Sequence, residues 1–239
     1  MNNIEIEKLI KISYEIRKDV INMLAKAGSG HLGGSLGMAD IFTVLYFNEL
    51  KHDPLQPDWE LRDRVIVSNG HIAPVWYATL SNAGYFSKKE LFSLRQFGSR
   101  LQGHPSRLSG LPGIESSSGS LGQGLSVATG MALAAKFFQS DYRVFCLMGD
   151  GELQEGNVWE AFMSAGHYKL ANLSAIVDRN RLQIDGNTEE VMSLEPLKNK
   201  IIDFNWNVLE CDGNDIKDIL RCFKSVSWSQ KPTCVIANT

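Results

Sequence analysis

RVFCLMGDGELQEGNVWEAFMSAGHYKLANLSAIVDRN, residues 143–180, reads as strand, helix and strand in quick succession. RVFCLM and LSAIVD are near-continuous apolar runs without the alternation of a half-exposed strand, so both predict strands covered on two faces. NVWEAFMSAGHYK between them carries helical periodicity. The β–α–β order implies a parallel pair joined by a helical crossover. Each strand ends in polar residues: Gly149, Asp150 and Gly151 after the first, Asp178 and Asn180 after the second. In parallel sheets, ligands bind beyond the carboxyl ends of the strands.

The rest of the chain extends the pattern. Residues 4–27 place Leu9, Ile12, Ile16, Val20, Met23, Leu24 and Ala27 at helical spacing before Gly28 and Gly30 end the run. MADIFTVLYFNEL, residues 38–50, predicts a second, largely buried helix. Residues 64–68 predict a short strand, and residues 74–83 a helix. SKKELFSLRQF, from Ser87, starts with a good N-cap and predicts another helix. Residues 98–119 are rich in Gly, Ser and Pro and read as a long loop, a length usually reserved for function. GSLGQGLSVATGMALAAKFF follows as a helix, and WNVLECDG, DIKDILRCFK and PTCVIANT as strand, helix and strand. The expectation is an α/β fold over residues 1–239: one domain, a parallel sheet with helices on both faces.

Net charge is −3, with no clustering of Lys or Arg, which points away from nucleic acid and anionic membranes. No apolar run approaches the roughly 20 residues of a membrane span, and the charged start does not resemble a signal peptide. None of the four cysteines forms a C-x-x-C pair, and Cys146 and Cys234 lie in apolar strands, so reduced thiols and a cytoplasmic location are expected.

Asp150 and Asn180 offer a charged and a neutral side-chain oxygen at neighbouring strand ends. That set suits a hard divalent cation such as Mg²⁺, with Ca²⁺ or Mn²⁺ in its place, sharing its oxygen shell with phosphate. Gly151 and Gly156 let backbone approach an anion closely. Alone, GDG is equally a turn-forming Asp between two glycines, and the chain lacks a P-loop.

The combination is more specific. GDGELQEG-x-x-WEA, AGHYKLANL and D-x-N-R-L-x-IDG, together with SGHLGGSLGMADI (29–41), VSNGHIAPVWYA (67–78), QGHPS (102–106) and GSLGQGLSVATGMALA (119–134), resemble the thiamine-diphosphate signature of transketolases across nearly the whole chain. The resemblance implies the diphosphate-binding (PP) fold. It implies thiamine diphosphate and Mg²⁺ as cofactors, with Asp150, Asn180 and the Leu182 carbonyl as metal ligands. Gly119, Gly149, Asp150, Gly151 and Asn180 would line the cofactor, with an N–H of Gly151 reaching the diphosphate and Leu121 and Ile184 packing on its rings. His31, His71 and His104 would line the donor channel as catalytic groups, His71 also touching the diphosphate, and Glu155 would lie at a subunit interface near the activating glutamate. His167 is expected to be structural within the core and His52 to lie on the surface.

The family's activating glutamate belongs to a pyrimidine-binding domain. This chain ends at CVIANT, so that half and the C-terminal domain are expected on a partner chain, a C-terminal transketolase subunit, in an α2β2 assembly acting on a sugar or sugar phosphate. The family's usual continuation after ANT is absent, and Ser120 stands where proline is usual. The leading expectation is ketol transfer from a ketose to an aldose by a split enzyme active only with its partner. Alternatives are a related subunit using an unusual sugar or acyl donor, the α subunit of a 2-oxo-acid dehydrogenase (opposed by the three histidines), and a non-catalytic scaffold.

Overall fold

Five parallel strands, residues 64–67, 144–149, 173–179, 233–238 and 207–212 in that spatial order, form the sheet of the computed structural model, which describes residues 3–184, 186–228 and 230–239. In chain order, helices α1 (Asn3–Ala27), α2 (Gly33–Gly37) and α3 (Ala39–Val44) precede β1 (Arg64–Val67) and α4 (Ala73–Ala83). Then come α5 (Gly124–Phe138), β2 (Val144–Gly149), α6 (Gly156–His167) and β3 (Leu173–Arg179). A small hairpin, β4 (Leu182–Gln183) and β5 (Gly186–Asn187), leads to α7 (Thr188–Val191) and α8 (Leu197–Asp203). The chain closes with β6 (Asn207–Asp212), α9 (Ile216–Lys224) and β7 (Thr233–Asn238).

The expected α/β architecture is therefore present, and the burial explains the uniform apolarity of the strands. Phe145 and Leu147 of β2 face the layer made by α1, α3, α4 and α9. Val144, Cys146 and Met148 of the same strand face the layer of α5, α6 and α8. Successive side chains point to opposite faces, and both faces are covered. All four cysteines are buried and free. Among the described residues, no helix is long and apolar enough to cross a membrane.

Three expectations are corrected. SKKELFSLRQF does not form an α-helix; Ser87 caps a short 3₁₀ turn, Lys88–Ser93, and the chain leaves the turn with Arg95 at φ 60°. Only Leu91 and Leu94 of this segment are buried, too narrow a stripe to dock a helix. His167 is exposed, because the buried positions of α6 run Val158, Ala161, Phe162 and Ala165, and residue 167 falls on the opposite side. His52 is the structural histidine instead: its ring nitrogens meet the Tyr85 hydroxyl at 3.0 Å and the Tyr46 carbonyl at 2.7 Å.

The carboxyl edge of the sheet is tied together by Glu152, buried in the turn after β2. Its Oε1 accepts from Ser68 Oγ at the end of β1 and from the Gly122 N–H at 2.7 Å; its Oε2 accepts from the Gly149 N–H at 3.2 Å. Ser68 Oγ in turn accepts from Gly124 N–H, at 2.9 Å, at the start of α5. The approach is so close that a Cβ on Gly124 would lie 2.3 Å from that of Ser68, which explains the glycine in GQGL. Burial pushes the Glu152 carboxyl up, while its three donors pull it back. Replacing Glu152 with Ala strands those buried donors, and we expect a loss of about 3 kcal/mol, read as a lower urea midpoint; a midpoint within error of the parent would show that water substitutes for the carboxylate.

Candidate functional site

The register pairs Gly149 with Asp178 across β2 and β3. Asp150 and Asn180 therefore leave the sheet side by side, and the Asp150 N–H donates to the Asp178 carbonyl at 3.1 Å. The Asp150 carboxylate is buried. Its Oδ1 accepts from Gly151 N–H at 2.8 Å, and its Oδ2 from Arg181 N–H at 2.7 Å and Arg179 Nη1 at 2.8 Å. Arg179 is a buried hub that also binds Thr188, Glu189 and Glu195, fastening the segment after β5 to the strand ends.

The Asn180 amide donates to Asp178 Oδ2 at 3.2 Å, and its oxygen accepts from Leu182 N–H at 2.9 Å. The Leu182 carbonyl comes near the same corner: a Cβ on Gly151 would sit 3.9 Å from it and 3.1 Å from Gln183 Cβ. The Gly151 N–H donates to Asp150, and the absence of a side chain at residue 151 keeps this corner open.

The donor set fits a hard cation. Of about four carboxylate acceptor sites on Asp150, three are filled, and the Asn180 oxygen keeps one of two. With the Leu182 carbonyl, that makes three oxygen donors from one sheet edge. Mg²⁺ typically takes few protein ligands, completing its octahedron with phosphate oxygens and water.

The three Gly-flanked histidines, far apart in sequence, converge. The His31 and His71 ring centroids are 5.3 Å apart, and those of His31 and His104 6.3 Å. A Cβ on Gly119 would lie 3.8 Å from His104, and one on Gly34 would lie 4.0 Å from His71 Nε2 and 3.8 Å from Asp178 Oδ2. Histidines, Gly119 and the Asp178 corner thus form one continuous edge. Leu101, Leu111 and Ile114 anchor the loop of residues 98–119 in the core, and a buried Glu115–Arg62 pair at 2.8 Å secures it.

Burial, then repulsion from His31 and His104, lowers the His71 pKa to about 4. His104 is lowered by burial, His31 and Arg95. Both imidazoles are neutral at pH 7, able to donate through one nitrogen and accept through the other. Burial raises Asp178 to about 6, against hydrogen bonds from Thr239 and Asn180 and with Asp150 adding to the rise.

Glu155, Leu182 and Ile184 are exposed, Ile184 completely, and Leu121 is half-buried. Glu155 packs its stem against Gly122. Sequence reasoning missed Glu152, Arg179 and Thr239, the last donating to Asp178 Oδ1 at 2.5 Å. An acid directly after GDG and an arginine inside D-x-N were the available signals.

Known proteins resemble this chain over nearly all of its length. A family model described as "Transketolase, thiamine diphosphate binding domain" matches residues 9–239. An apulose-4-phosphate transketolase subunit from Phocaeicola vulgatus is 44% identical over 236 residues, covering 98% of this chain and 83% of the relative. The 6-deoxy-6-sulfo-D-fructose transketolase subunit SqwG of a Clostridium species is 40% identical over 225 residues, covering 94% and 82%. Among solved structures, transketolase from Campylobacter jejuni superposes with a TM-score of 0.93 at 36% identity, covering 100% of this chain and 38% of that one. The chain therefore spans little more than a third of that transketolase.

The depressed His71 pKa has a measurable consequence. An unfolded histidine takes up its proton near pH 6.5 and His71 only near 4, so acid favours the unfolded chain. The stability held by neutral His71 is whole above pH 6.5 and lost as pH falls toward 4. An NMR titration should place its midpoint near 4, with the ring neutral at pH 5.5, where an unperturbed histidine is about nine-tenths protonated; a midpoint near 6.5 would refute this account.

Proposed function

This chain belongs to the transketolase family, and from that premise we propose that it is the N-terminal, cofactor-holding subunit of a split transketolase. With a separate C-terminal subunit supplying the pyrimidine-binding half, in an α2β2 assembly, it transfers a two-carbon ketol unit from a ketose to an aldose. The observation that carries this reading is the convergence of the three histidines with the Asp150–Asn180 corner on one sheet edge. The relatives whose printed names call them transketolase subunits, and which this chain covers almost to their own length, support the division into two chains.

When bound, thiamine diphosphate supplies a stabilised carbanion that allows a bond next to a carbonyl to break. The chain's own residues would hold and orient. Asp150, Asn180 and the Leu182 carbonyl take Mg²⁺, and Gly149, Gly151 and Gly119 leave room for the diphosphate. Leu121 and Ile184 present apolar surface for the cofactor rings. Neutral His71 offers an N–H to an anionic oxygen, and His31 and His104 hold the hydroxyl and carbonyl oxygens of the ketose and move protons there. Glu155, exposed at the start of α6, faces the partner subunit. The names of the relatives, an apulose phosphate and a sulfofructose enzyme, favour an anionic and uncommon sugar over a scaffold role.

Two experiments test this. Mixing the chain with the C-terminal subunit, thiamine diphosphate, Mg²⁺ and a panel of ketoses should give turnover only in the mixture; turnover by this chain alone would sink the split-site reading. Asp150→Asn keeps an acceptor for Arg181 and Arg179 and should preserve the fold by circular dichroism. It should weaken Mg²⁺-dependent cofactor binding to the assembled enzyme by more than about 100-fold, beyond the loss typical of residues that merely support a ligand. Unchanged metal dependence in calorimetry would remove Asp150 from the ligand set.

A further inference from the structure

Cys211 on β6 and Cys222 on α9 are two buried, free thiols to which the proposed reaction gives no role. β6 and β7 are parallel neighbours, so α9, which joins them, runs back along the sheet against the direction of β6. Helix and strand are pinned where the Asp218 carboxylate accepts from the Asp212 N–H at 2.9 Å. Cys222, four residues on from Asp218, lies about 6 Å back along the sheet. A strand rises about 3.3 Å per residue, so Cys222 is level with the one or two residues before Asp212. Cys211 and Cys222 both belong to the core layer that α9 covers. The two thiols therefore face one another across the contact between helix and strand.

Their chemistry is unequal. The Cys211 thiol, with help from the Arg221 guanidinium, holds the Cys222 pKa below that of an ordinary thiol, against burial and Asp218. Cys211 is pushed up, first by Cys222 and then by burial. In thiol oxidation the thiolate is the nucleophile, and a second thiol beside it resolves the product.

The other two cysteines supply the contrast. Cys146 and Cys234 both pair in register with Ala175, from opposite sides, which sets their Cα atoms two strand spacings, about 9.5 Å, apart. A disulfide needs Cα atoms within about 7 Å. Burial raises both of these thiols, and they fill the core as small apolar side chains.

We propose that Cys211 and Cys222 form a reversible, peroxide-sensitive dithiol site that closes to a disulfide stapling α9 to β6. The Cys222 thiolate attacks hydrogen peroxide and breaks its O–O bond. The sulfur becomes a sulfenic acid, and the departing hydroxide takes up a proton and leaves as water. The Cys211 sulfur then gives up its proton and displaces the sulfenic hydroxyl, and a second water leaves. Each sulfur is oxidised by one electron, and the peroxide is reduced by two. The staple would sit beside the end of β7: Asn238 Nδ2 donates to the Cys211 carbonyl at 3.4 Å, and the adjoining Thr239 holds Asp178. The site stands on the two thiols and is independent of the reaction proposed above.

Peroxide treatment of the folded full chain tests it. The mass should fall by about 2 Da. Trypsin, cutting after Lys217 and Arg221, should then release a peptide bearing Cys211 still joined to one bearing Cys222, and dithiothreitol should part them. Cys146 and Cys234 should remain fully alkylatable once the treated chain is unfolded. Cys211→Ser should stop at a sulfenic acid on Cys222, trapped by dimedone, and Cys222→Ser should leave Cys211 unoxidised. Oxygen added at Cys222 of the parent chain without a cross-link would place the two sulfurs out of reach and overturn the proposal. Four intact thiols would overturn it too, as would oxidation of all four alike, the mark of attack through unfolding. The cross-link map of the parent chain decides even where a variant fails to fold.

Discussion

The carboxylate of Glu152 is the constraint on which the edge of the sheet depends. β1 and β2 are hydrogen-bonded along their length, but nothing in a parallel ladder dictates where the chain goes after a strand ends. Glu152 supplies that instruction by accepting from Ser68, Gly122 and Gly149 together. A buried carboxylate with three donors is far cheaper than one with fewer, and the donors are equally committed, since a buried N–H without a partner costs about 1–3 kcal/mol. The path after β1, which carries His71, and the path into α5, which carries Gly119 and Leu121, are thereby fixed relative to the Gly149–Gly151 turn.

A second knot, around Arg179, does for β3 what Glu152 does for β1 and β2. A buried guanidinium requires carboxylates, and Arg179 takes Asp150, Glu189 and Glu195. Because Asp150 is shared between this pair and the turn after β2, the hairpin bearing Leu182 cannot move freely without disturbing the carboxylate. The arrangement fixes the orientation of the Asp150 carboxylate, the group proposed to take the cation. A buried pair of this kind is weak evidence for net stability, since desolvation offsets much of its attraction; what it secures is geometry.

Much of this was legible in the sequence, for specific reasons. The parallel sheet announced itself through runs such as VFCLM and LSAIV, because two-sided burial removes alternation. That Asp150 and Asn180 would stand side by side followed from their places just past two strands predicted to be parallel neighbours, and the three histidines, each preceded by a glycine, stood out as a set that the fold does bring together. What remained hidden depends on partners distant in sequence. Glu152 looks like an ordinary first-turn acid until Ser68 and Gly122 are brought to it. Arg179 looks like a solvated charge, yet it is enclosed by residues 188–195. His52 and His167 exchanged roles because burial of a lone histidine depends on helix phase and on tyrosines more than 5 residues away. The segment after Ser87 has a sound N-cap, but capping cannot rescue a helix with so little to bury.

The site divides by burial, and the division follows from what each half must do. Asp150, Glu152, Asp178 and Arg179 are almost fully enclosed, where a low dielectric strengthens electrostatics and rotamers are locked. His31, His104, Glu155, Leu182, Ile184 and Arg95 are exposed. A lone exposed isoleucine is unremarkable, but Leu182 and Ile184 stand on the hairpin that the buried charges hold in place. A buried charged floor with uncovered apolar and donor groups around it is the kind of surface that the proposed second subunit would lie across. Electrostatic preorganisation acts at full strength only once water is excluded, a condition that the proposed partner half would supply to this edge.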